Sequence, residues 1–379
     1  MKTVRMRLPN PRTFLRAHAM AAVAVLVALA SCVFVPPDAA YLTYVDWETL
    51  GRLAAMLVVV GALGRAGAFQ FAAAALAAQC RRARGLVGVL VGATALASMF
   101  VTNDMALVGL LPLAGAALVA CGRRDLLPAT FVLQGVAANL CGMLLPFGNP
   151  QNIYLSAKYS IGFGQFVATM AAPFAVSVAL VATGCFVFSD RASVQVETRP
   201  PAPSAGRAAV LVLLLALCVA AVLGAVPVGG ALLVVLGALL VVDRRGLAHT
   251  DWGLIVTFAA FFVFSGNVAR IAPLADALEA WLGGGAFLPA ALLSQLISNV
   301  PAAVVLSRFT ADWAGLLAGV NVGGVGTPIA SLATLIVVSH FQSMAPGLRL
   351  SRRRFWGLLL GLNFACLAAL LAVGCIAGW

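Results

Sequence analysis

Long apolar stretches separated by short polar breaks run along the whole chain. A helix needs about 20 mostly apolar residues to cross the hydrocarbon core of a bilayer, and the chain offers many stretches of that kind. The pattern therefore predicts an all-α polytopic membrane protein with about nine to eleven transmembrane segments. The first segment is expected within residues 1–40, where an apolar run from 17 to 35 follows a basic N-terminus.

Two of the apolar stretches, residues 85–120 and 286–309, are interrupted by polar residues. The interrupting residues are Thr102, Asn103 and Asp104 in the first stretch, and Ser298 and Asn299 followed by Val300 and Pro301 in the second. Lipid tolerates irregular backbone only where protein or a water-filled cavity surrounds it. Each stretch is therefore predicted to form a re-entrant helical hairpin with the polar residues at its tip.

Basic residues at both ends of the first stretch support a hairpin. Arg81, Arg82 and Arg84 precede it, and Arg123 and Arg124 follow it. Basic loop residues concentrate on the cytoplasmic side of a membrane, so both ends are expected there. By the same rule the N-terminus is expected in the cytoplasm and the C-terminus outside.

Two other apolar helices, within residues 126–160 and 313–342, are predicted to be broken. The breaks are Gly148-Asn149-Pro150 in the first helix and Gly326-Thr327-Pro328 in the second. Proline removes a backbone donor and clashes with the preceding turn, so a helix is interrupted at such a sequence.

The two halves of the chain repeat one plan. The first repeat is placed at residues 41–188, a cytoplasmic linker at 189–207 and the second repeat at 208–379. Each repeat has an Asp-Trp pair, an apolar helix, a hairpin and a broken helix in that order. The basic loops place the two Asp-Trp pairs on opposite sides of the membrane, which predicts an inverted repeat.

Paired interruptions in two inverted halves are the usual position of a transporter's binding site. Broken helices leave N–H groups that attract anions and carbonyl groups that attract cations. The substrate-binding candidates are Thr102, Asn103, Asn149, Ser298, Asn299, Thr327 and Pro328. The coupling-ion candidates are Asn103, Asp104, Gly148, Asn299 and Gly326.

Asp104 is the sharpest candidate because it is the only acidic residue within the two predicted hairpins. An acid at membrane depth is costly, so a functional role is the default interpretation. Asp104 could carry a proton or bind a sodium ion, or it could simply cap the second helix of the hairpin. Asp251, by contrast, is interpreted with Trp252 as an anchor at the membrane interface.

Composition excludes several classes of protein. The chain is 63% hydrophobic and 9% charged, whereas soluble domains carry about 25% charged residues. The net charge of +12 is explained by basic loops, so no nucleic-acid partner is expected. The eight cysteines occur singly, without a CxxC pair. No cofactor or metal is expected beyond a sodium ion in a coupling role.

The tip and break motifs together resemble the ion transporter superfamily. The motifs are Thr102-Asn103-Asp104 with Leu110-Leu111-Pro112, Gly148-Asn149-Pro150-Gln151-Asn152, Ser298-Asn299-Val300-Pro301, and the run from Gly326 to Leu335. That superfamily includes citrate-transporter-like permeases, divalent-anion/sodium symporters, arsenite permeases and some sodium/proton antiporters. The tips are more similar to those of arsenite permeases than to the Ser-Asn-Thr of the symporters, and the first break is similar to that of citrate-type permeases.

The resemblance implies a mobile transport part that moves like an elevator against a scaffold, usually in a homodimer. It implies a secondary transporter of a small anion or oxyanion, citrate-, dicarboxylate- or arsenite-like, coupled to Na⁺ or H⁺ across the inner membrane. The alternatives are a Na⁺/H⁺ antiporter using Asp104, a channel and an intramembrane enzyme. An enzyme is disfavoured because the sequence contains no nucleophile–base pair, no HExxH and no P-loop.

Overall fold

The computed structural model describes residues 19–196, 202–248 and 250–379. Over these ranges the chain is helical, with one isolated bridge between Arg82 and Ser193 and no strand. The helices up to residue 196 are α1 Ala19–Ser31, α2 Tyr41–Tyr44, α3 Trp47–Ala66, α4 Ala68–Ala77, α5 Ala83–Phe100, α6 Asn103–Ala120, α7 Leu127–Cys141, α8 Pro150–Lys158 and α9 Phe163–Val187. Those that follow are α10 Ala205–Val222, α11 Val228–Val242, α12 Arg244–Ala248, α13 Gly253–Val268, α14 Ala272–Leu282, α15 Phe287–Ile297, α16 Asn299–Leu306, α17 Trp313–Val322, α18 Leu332–Leu348 and α19 Arg352–Ile376.

The helices form two units with the same order of elements. Helices α3 to α9 make the first unit and α13 to α19 the second. Each unit contains a long helix, a short helix, a pair of helices forming a hairpin, a broken helix and a final helix of 25 residues. Helices α10 and α11 lie between the units in sequence and pack against α3. The predicted all-α, inverted-repeat fold with two hairpins and two broken helices is confirmed.

The number of full-length spans is smaller than the predicted nine to eleven. Among the described residues, seven helices are long and apolar enough to cross a bilayer, and an eighth span results if α13 and α14, bent by 99°, are taken together. Several further apolar helices, of 10–17 residues, are too short to count alone. They include α1, which is the described part of the segment predicted within residues 1–40. They also include α15, the first arm of the second hairpin, and both halves of the second broken helix, α17 and α18. The short helices α4 and α14 were not predicted.

The first hairpin consists of α5 and α6, which pack against each other. Val101 and Thr102 join them in extended backbone conformation. Both ends of this hairpin contact the segment that follows α9. The Ala83 N–H donates to the Ala192 carbonyl over 2.9 Å, and Arg123 forms a salt bridge of 2.7 Å with Asp190. The two ends therefore lie at the same level of the protein.

This arrangement allows a direct test of the hairpin's topology. We expect single cysteines introduced at Arg82 and Arg124, in a cysteine-free background, to react with an impermeant maleimide from the cytoplasmic side. Both positions are exposed, and the basic residues around them favour that side. Labelling is to be measured in right-side-out and inverted vesicles. Reaction of the two cysteines from opposite sides would contradict the hairpin.

The second hairpin consists of α15 and α16 and is much shorter. Its tip is Ser298, whose φ of +76° lies in a region that favours glycine. Two hydrogen bonds to the Ala330 carbonyl hold the tip there, from the Asn299 N–H at 3.0 Å and from the Ser298 hydroxyl at 3.3 Å. Backbone strain of this kind persists where surrounding contacts enforce it, and it concentrates at functional sites.

The broken helices are interrupted at residues 145–149, the first break, and 323–331, the second break. Pro150 begins α8 at a position where its missing N–H costs nothing. Gly148 must be glycine because a Cβ there would overlap the Gly142 carbonyl oxygen. Gly326 has a φ of +122°, which residues with a side chain rarely adopt.

The two units interlock reciprocally. Helix α8, which follows the first break, packs against α16 of the second hairpin, and α18, which follows the second break, packs against α6 of the first hairpin. Each hairpin therefore contacts the broken helix of the other unit as well as its own. This packing brings both tips and both breaks to the centre of the molecule.

Candidate functional site

A cavity of about 320 Å³ lies where the tips and breaks converge. The two tips contribute Asn103, Asp104, Ser298 and Asn299 to its wall, and the starts of α8 and α18 contribute Pro150, Gln151, Ser331 and Leu332. Asp251 and the start of α13, with Gly253 and Thr257, also line it, as do Met20 and Ala21 of α1. Asn103 and Asn299 are 196 positions apart in sequence, yet both line this single cavity.

Among the helices that begin at the cavity wall are four that directly follow a tip or a break: α6, α8, α16 and α18. The first N–H groups of a helix have no partner within that helix, and its N-terminus carries a partial positive charge of roughly half an elementary charge. Four such helix starts on one wall add positive partial charge to the cavity without any basic side chain. The cavity is therefore suited to negatively charged or strongly electronegative oxygen atoms.

About half of the residues on the wall are polar, and most of these are uncharged, whereas the others, such as Leu254, Leu335 and Ile336, are apolar. The neutral polar side chains comprise amides and hydroxyls such as those of Asn103, Gln151 and Ser331. Asp104 and Asp251 are the acidic residues among the described wall residues, which include no Lys, Arg or His. Hydroxyl and amide groups can donate and accept hydrogen bonds, so this wall can bind a hydroxylated or oxyanionic solute.

Asp104 occupies a distinctive position at the tip of the first hairpin. One of its carboxylate oxygens, Oδ1, is buried and has no hydrogen-bond partner within the described structure. Its backbone N–H donates to Asn103 Oδ1 over 2.9 Å, so it is not free to donate to a ligand. A buried carboxylate oxygen without a partner is costly unless a proton or cation binds it. Asp251, interpreted from the sequence as an interface anchor, lines the same cavity.

Two buried asparagines that sequence reasoning did not select as site residues connect the units behind the wall. Asn139 of α7 accepts hydrogen bonds from Asn103, over 3.0 Å, and from Ser331, over 2.7 Å. Asn321 of α17 accepts one from Gln151, over 3.1 Å, and donates one to Asn152, over 2.7 Å. Each asparagine thus links its own broken helix to the break of the other unit.

Gln295 performs a similar task within the second unit, and it was also missed. Its amide nitrogen donates to the carbonyls of Gly323 and Val325, over 2.9 and 3.1 Å. Its amide oxygen accepts from the Thr327 N–H over 2.9 Å. The side chain therefore satisfies backbone groups that the second break leaves open. A polar residue within an otherwise apolar stretch of sequence was the available signal for all three residues.

The predicted site residues separate into two groups. Asn103, Asp104, Ser298 and Asn299 line the cavity. Thr102, Gly148, Asn149, Gly326, Thr327 and Pro328 are not on its wall and belong to the tips and breaks that shape it. Asn149 is almost fully buried, and its Oδ1 has no hydrogen-bond partner in the described structure.

Oxygen atoms concentrate around the first break. The backbone carbonyls of Ser98 and Gly142 both face the Cα of Gly148, and the unpartnered Oδ1 of Asn149 lies beside Gly142. Neutral carbonyl and amide oxygens of this kind are suitable ligands for a hard cation such as Na⁺. No cluster of His, Cys, Asp and Glu able to hold a metal ion occurs among the described residues.

Comparison with known proteins identifies the family. A sequence model of the citrate transporter family (CitMHS) matches residues 13–318. The chain belongs to the citrate transporter family. The resemblance to the ion transporter superfamily, inferred from the tip and break motifs, is thereby confirmed. Membership in this family makes the chain a multi-pass membrane transporter that resides in a lipid bilayer.

Several known proteins are similar to the chain, two of them over most of its length. The inner membrane protein YbiR of Escherichia coli is 29% identical over 332 residues, covering 83% of this chain and 85% of its own. An uncharacterised transporter of Methanocaldococcus jannaschii is 28% identical over 303 residues, covering 78% and 81%. A silicon efflux transporter of Oryza sativa subsp. japonica is 34% identical over 131 residues, covering 34% and 26%.

A solved transporter structure shares the fold of this citrate transporter family member. The YdaH transporter of Alcanivorax borkumensis, whose crystal structure was described as having an unusual topology, aligns with a TM-score of 0.56 at 16% identity. The alignment covers 95% of this chain and 98% of that one. At this identity the likeness concerns the fold alone.

Proposed function

We propose that the chain is a secondary active transporter of a small oxyanion, or of the neutral hydroxylated acid that forms when the oxyanion is protonated. Transport is coupled to H⁺ or Na⁺ through Asp104. The observation that carries this proposal is the convergence of four helix N-termini on one cavity without a basic side chain on its described wall. Their partial charges attract oxygen-rich solutes, while the amides and hydroxyls supply directional hydrogen bonds.

The charge of the wall favours an arsenite- or silicate-like solute over citrate. A tricarboxylate brings about three negative charges into a cavity that already contains Asp104 and Asp251. Like charges in a site of low dielectric constant repel strongly, and no Lys or Arg lines the described wall to bind the added carboxylates. A neutral or singly charged hydroxylated solute avoids that repulsion. The similarity to a silicon efflux transporter over 131 residues supports this class of substrate.

The coupling ion is assigned to the tip of the first hairpin and the first break. Asp104 provides a buried carboxylate oxygen without a partner in the described structure, and the carbonyls of Ser98 and Gly142 with Asn149 Oδ1 provide neutral oxygens at the first break. Binding of H⁺ or Na⁺ would remove the free-energy cost of burying an unpaired carboxylate. It would also remove a negative charge from the cavity and so favour the entry of an anionic substrate. The second break and Asn299 are the corresponding region of the other unit.

The remaining features are proposed from the inverted repeat, the family resemblance and the basic loops together. We infer an elevator-type movement of the hairpins and broken helices, a homodimeric scaffold and an inner-membrane location with a cytoplasmic N-terminus and an external C-terminus. Two interlocked units with one central cavity support alternating access, because either face of the same site can open in turn.

A reconstituted-liposome panel tests the substrate class. Uptake of arsenite, silicate, sulfate, succinate and citrate is to be measured with an imposed pH gradient, with an imposed Na⁺ gradient and with neither. We expect arsenite or silicate to accumulate only when a gradient is present, and citrate to be transported at least ~10-fold more slowly, since like-charge juxtaposition in a binding site costs several kcal/mol. Gradient-driven accumulation of citrate alone would contradict the oxyanion assignment.

A Na⁺/H⁺ antiporter is the second candidate, and the unpartnered Asp104 oxygen favours it specifically. One carboxylate that binds H⁺ and Na⁺ alternately is sufficient for such exchange. The same liposomes distinguish the two functions. Sodium efflux that drives proton uptake in the absence of every solute of the panel would support the antiporter.

A further inference from the structure

A second cavity, of about 340 Å³, lies on the membrane-facing side of the first hairpin. It is a groove between α5 and α9, and part of α7 forms its floor. This groove is separate from the central cavity and shares no wall residue with it. It is not required for substrate binding as proposed above.

The groove is open because two glycines line it. Gly88 and Gly92 are four residues apart on α5, so they lie on the same face of that helix. A side chain added at either position would meet no atom within 4 Å. The opposite wall is apolar and includes Val178 and Ala182 of α9. At these two glycines the groove is therefore open space between α5 and α9, without side chains that fill it.

One end of the groove carries a positive charge. Arg84 lines it, with its guanidinium 3.9 Å from the ring centroid of Phe186 and one N–H donated to the Ser189 carbonyl over 2.9 Å. The Nε of Arg84 is buried and has no hydrogen-bond partner in the described structure. Arg81 and Arg82, just before it in the chain, are exposed.

The acidic residue near this end is already engaged. Asp190 forms two hydrogen bonds with Arg123, of 2.8 and 2.7 Å, and these hold the pKa of its carboxyl at about 2. Arg84 also acts on Asp190 at longer range, but within the described structure it forms no salt bridge with it, so its guanidinium can attract another anion. A second copy of this chain is poorly matched to that need, because the chain has 24 basic and only 12 acidic residues.

We propose that this groove binds one anionic phospholipid, with an acyl chain along Gly88 and Gly92 and the phosphate at Arg84. An acyl chain fits an apolar groove that opens to the bilayer. Basic residues at a membrane surface attract anionic headgroups. Helix α5 is the first arm of the hairpin whose tip carries Asn103 and Asp104. The bound lipid would therefore contact the hairpin that contributes these two residues to the central cavity.

Native mass spectrometry of the purified full-length chain tests the proposal. The protein in nonionic detergent is titrated with phosphatidylglycerol or with phosphatidylcholine of the same acyl chains, and the fraction that carries one lipid is measured. We expect Arg84→Gln to weaken phosphatidylglycerol binding about fivefold, the weight of one basic residue at a membrane surface, and to leave phosphatidylcholine unchanged. Gly92→Phe fills the groove and is expected to lower the binding of both lipids.

Matched variants serve as controls. Gly237→Phe places the same side chain on α11 at an exposed glycine with open space around it, and Arg353→Gln removes an exposed arginine at the start of α19. Both are expected to bind lipid like the wild type. Gly92→Leu replaces Gly92→Phe if thermal melting shows that the larger side chain unfolds the protein.

Three results would overturn the proposal. One is unchanged lipid occupancy in both groove variants. Another is an equal loss in Gly237→Phe, which would indicate nonspecific lipid contact. The third is a shift from dimer to monomer in Gly92→Phe without loss of lipid, which would assign the groove to contact between copies of the chain.

Discussion

Gradient-driven uptake is expected to disappear when Asp104 is replaced by asparagine. Asparagine keeps the size of the side chain and its ability to accept a hydrogen bond, but it can neither release a proton nor balance a sodium ion. Loss of about 3 kcal/mol of cation binding, the upper range for an interaction with a charged group, corresponds to a fall of roughly 100-fold in affinity. The initial rate of uptake in liposomes under an imposed gradient measures this effect.

The variant should still exchange substrate across the membrane when no gradient drives it. Substrate binding depends on the helix N-termini and the neutral polar groups, which Asp104→Asn leaves in place. Asp276→Asn is the matched control because it removes an exposed carboxylate on α14, which does not line the cavity. Wild-type accumulation by Asp104→Asn, with its dependence on the gradient intact, would eliminate the coupling role of this residue.

Substitution of Gly148 by alanine is the second change with a large expected effect. The added methyl group would overlap the Gly142 carbonyl oxygen and lie 3.1 Å from that of Ser98. Both are backbone atoms, so the first break itself must move. In enzyme sites a displacement of ~1 Å costs about 100-fold in rate, and we expect a comparable fall in the initial uptake rate.

Some of this loss will be accompanied by lower stability, because overpacking of a buried site costs about 1–3 kcal/mol. Thermal melting in detergent separates the two contributions. Gly164→Ala is the control, since Gly164 lies on α9 with open space around its Cα. Gly326→Ala should reproduce the defect in the other unit, where a φ of +122° and the Gln295 side chain both oppose a Cβ. Normal uptake by Gly148→Ala would show that the first break tolerates displacement.

Local composition was sufficient to locate the tips and breaks. The sequence predicted the tip of the first hairpin at residues 102–104. In the structure the two arms are joined by Val101 and Thr102, within one residue of that prediction. The breaks at Gly148 and Gly326 also lie where Gly and Pro interrupt apolar runs. Such interruptions are properties of neighbouring residues, so they can be predicted without knowledge of distant contacts.

The partners of the buried polar residues could not be predicted in the same way. Asn139 lies on α7, all of whose residues are buried, so no amphipathic pattern indicates which side faces the site. Its partner Ser331 is 192 positions away. The position of Asp251 on the cavity wall likewise depends on how α13 packs against the rest of the protein, and the sequence favoured an interface anchor instead.

The amino-acid sequence by itself determined that this chain is a helical membrane protein. It also determined that two similar halves each contain a hairpin and a broken helix. Hydrophobic stretches and Gly/Pro interruptions act over a few turns, and their physical consequences are local. Only the tertiary structure decided that the four helix N-termini meet at one cavity and that Asn139 and Asn321 join the units. Those contacts connect residues far apart in the chain, and close packing of whole helices determines which polar atoms face each other.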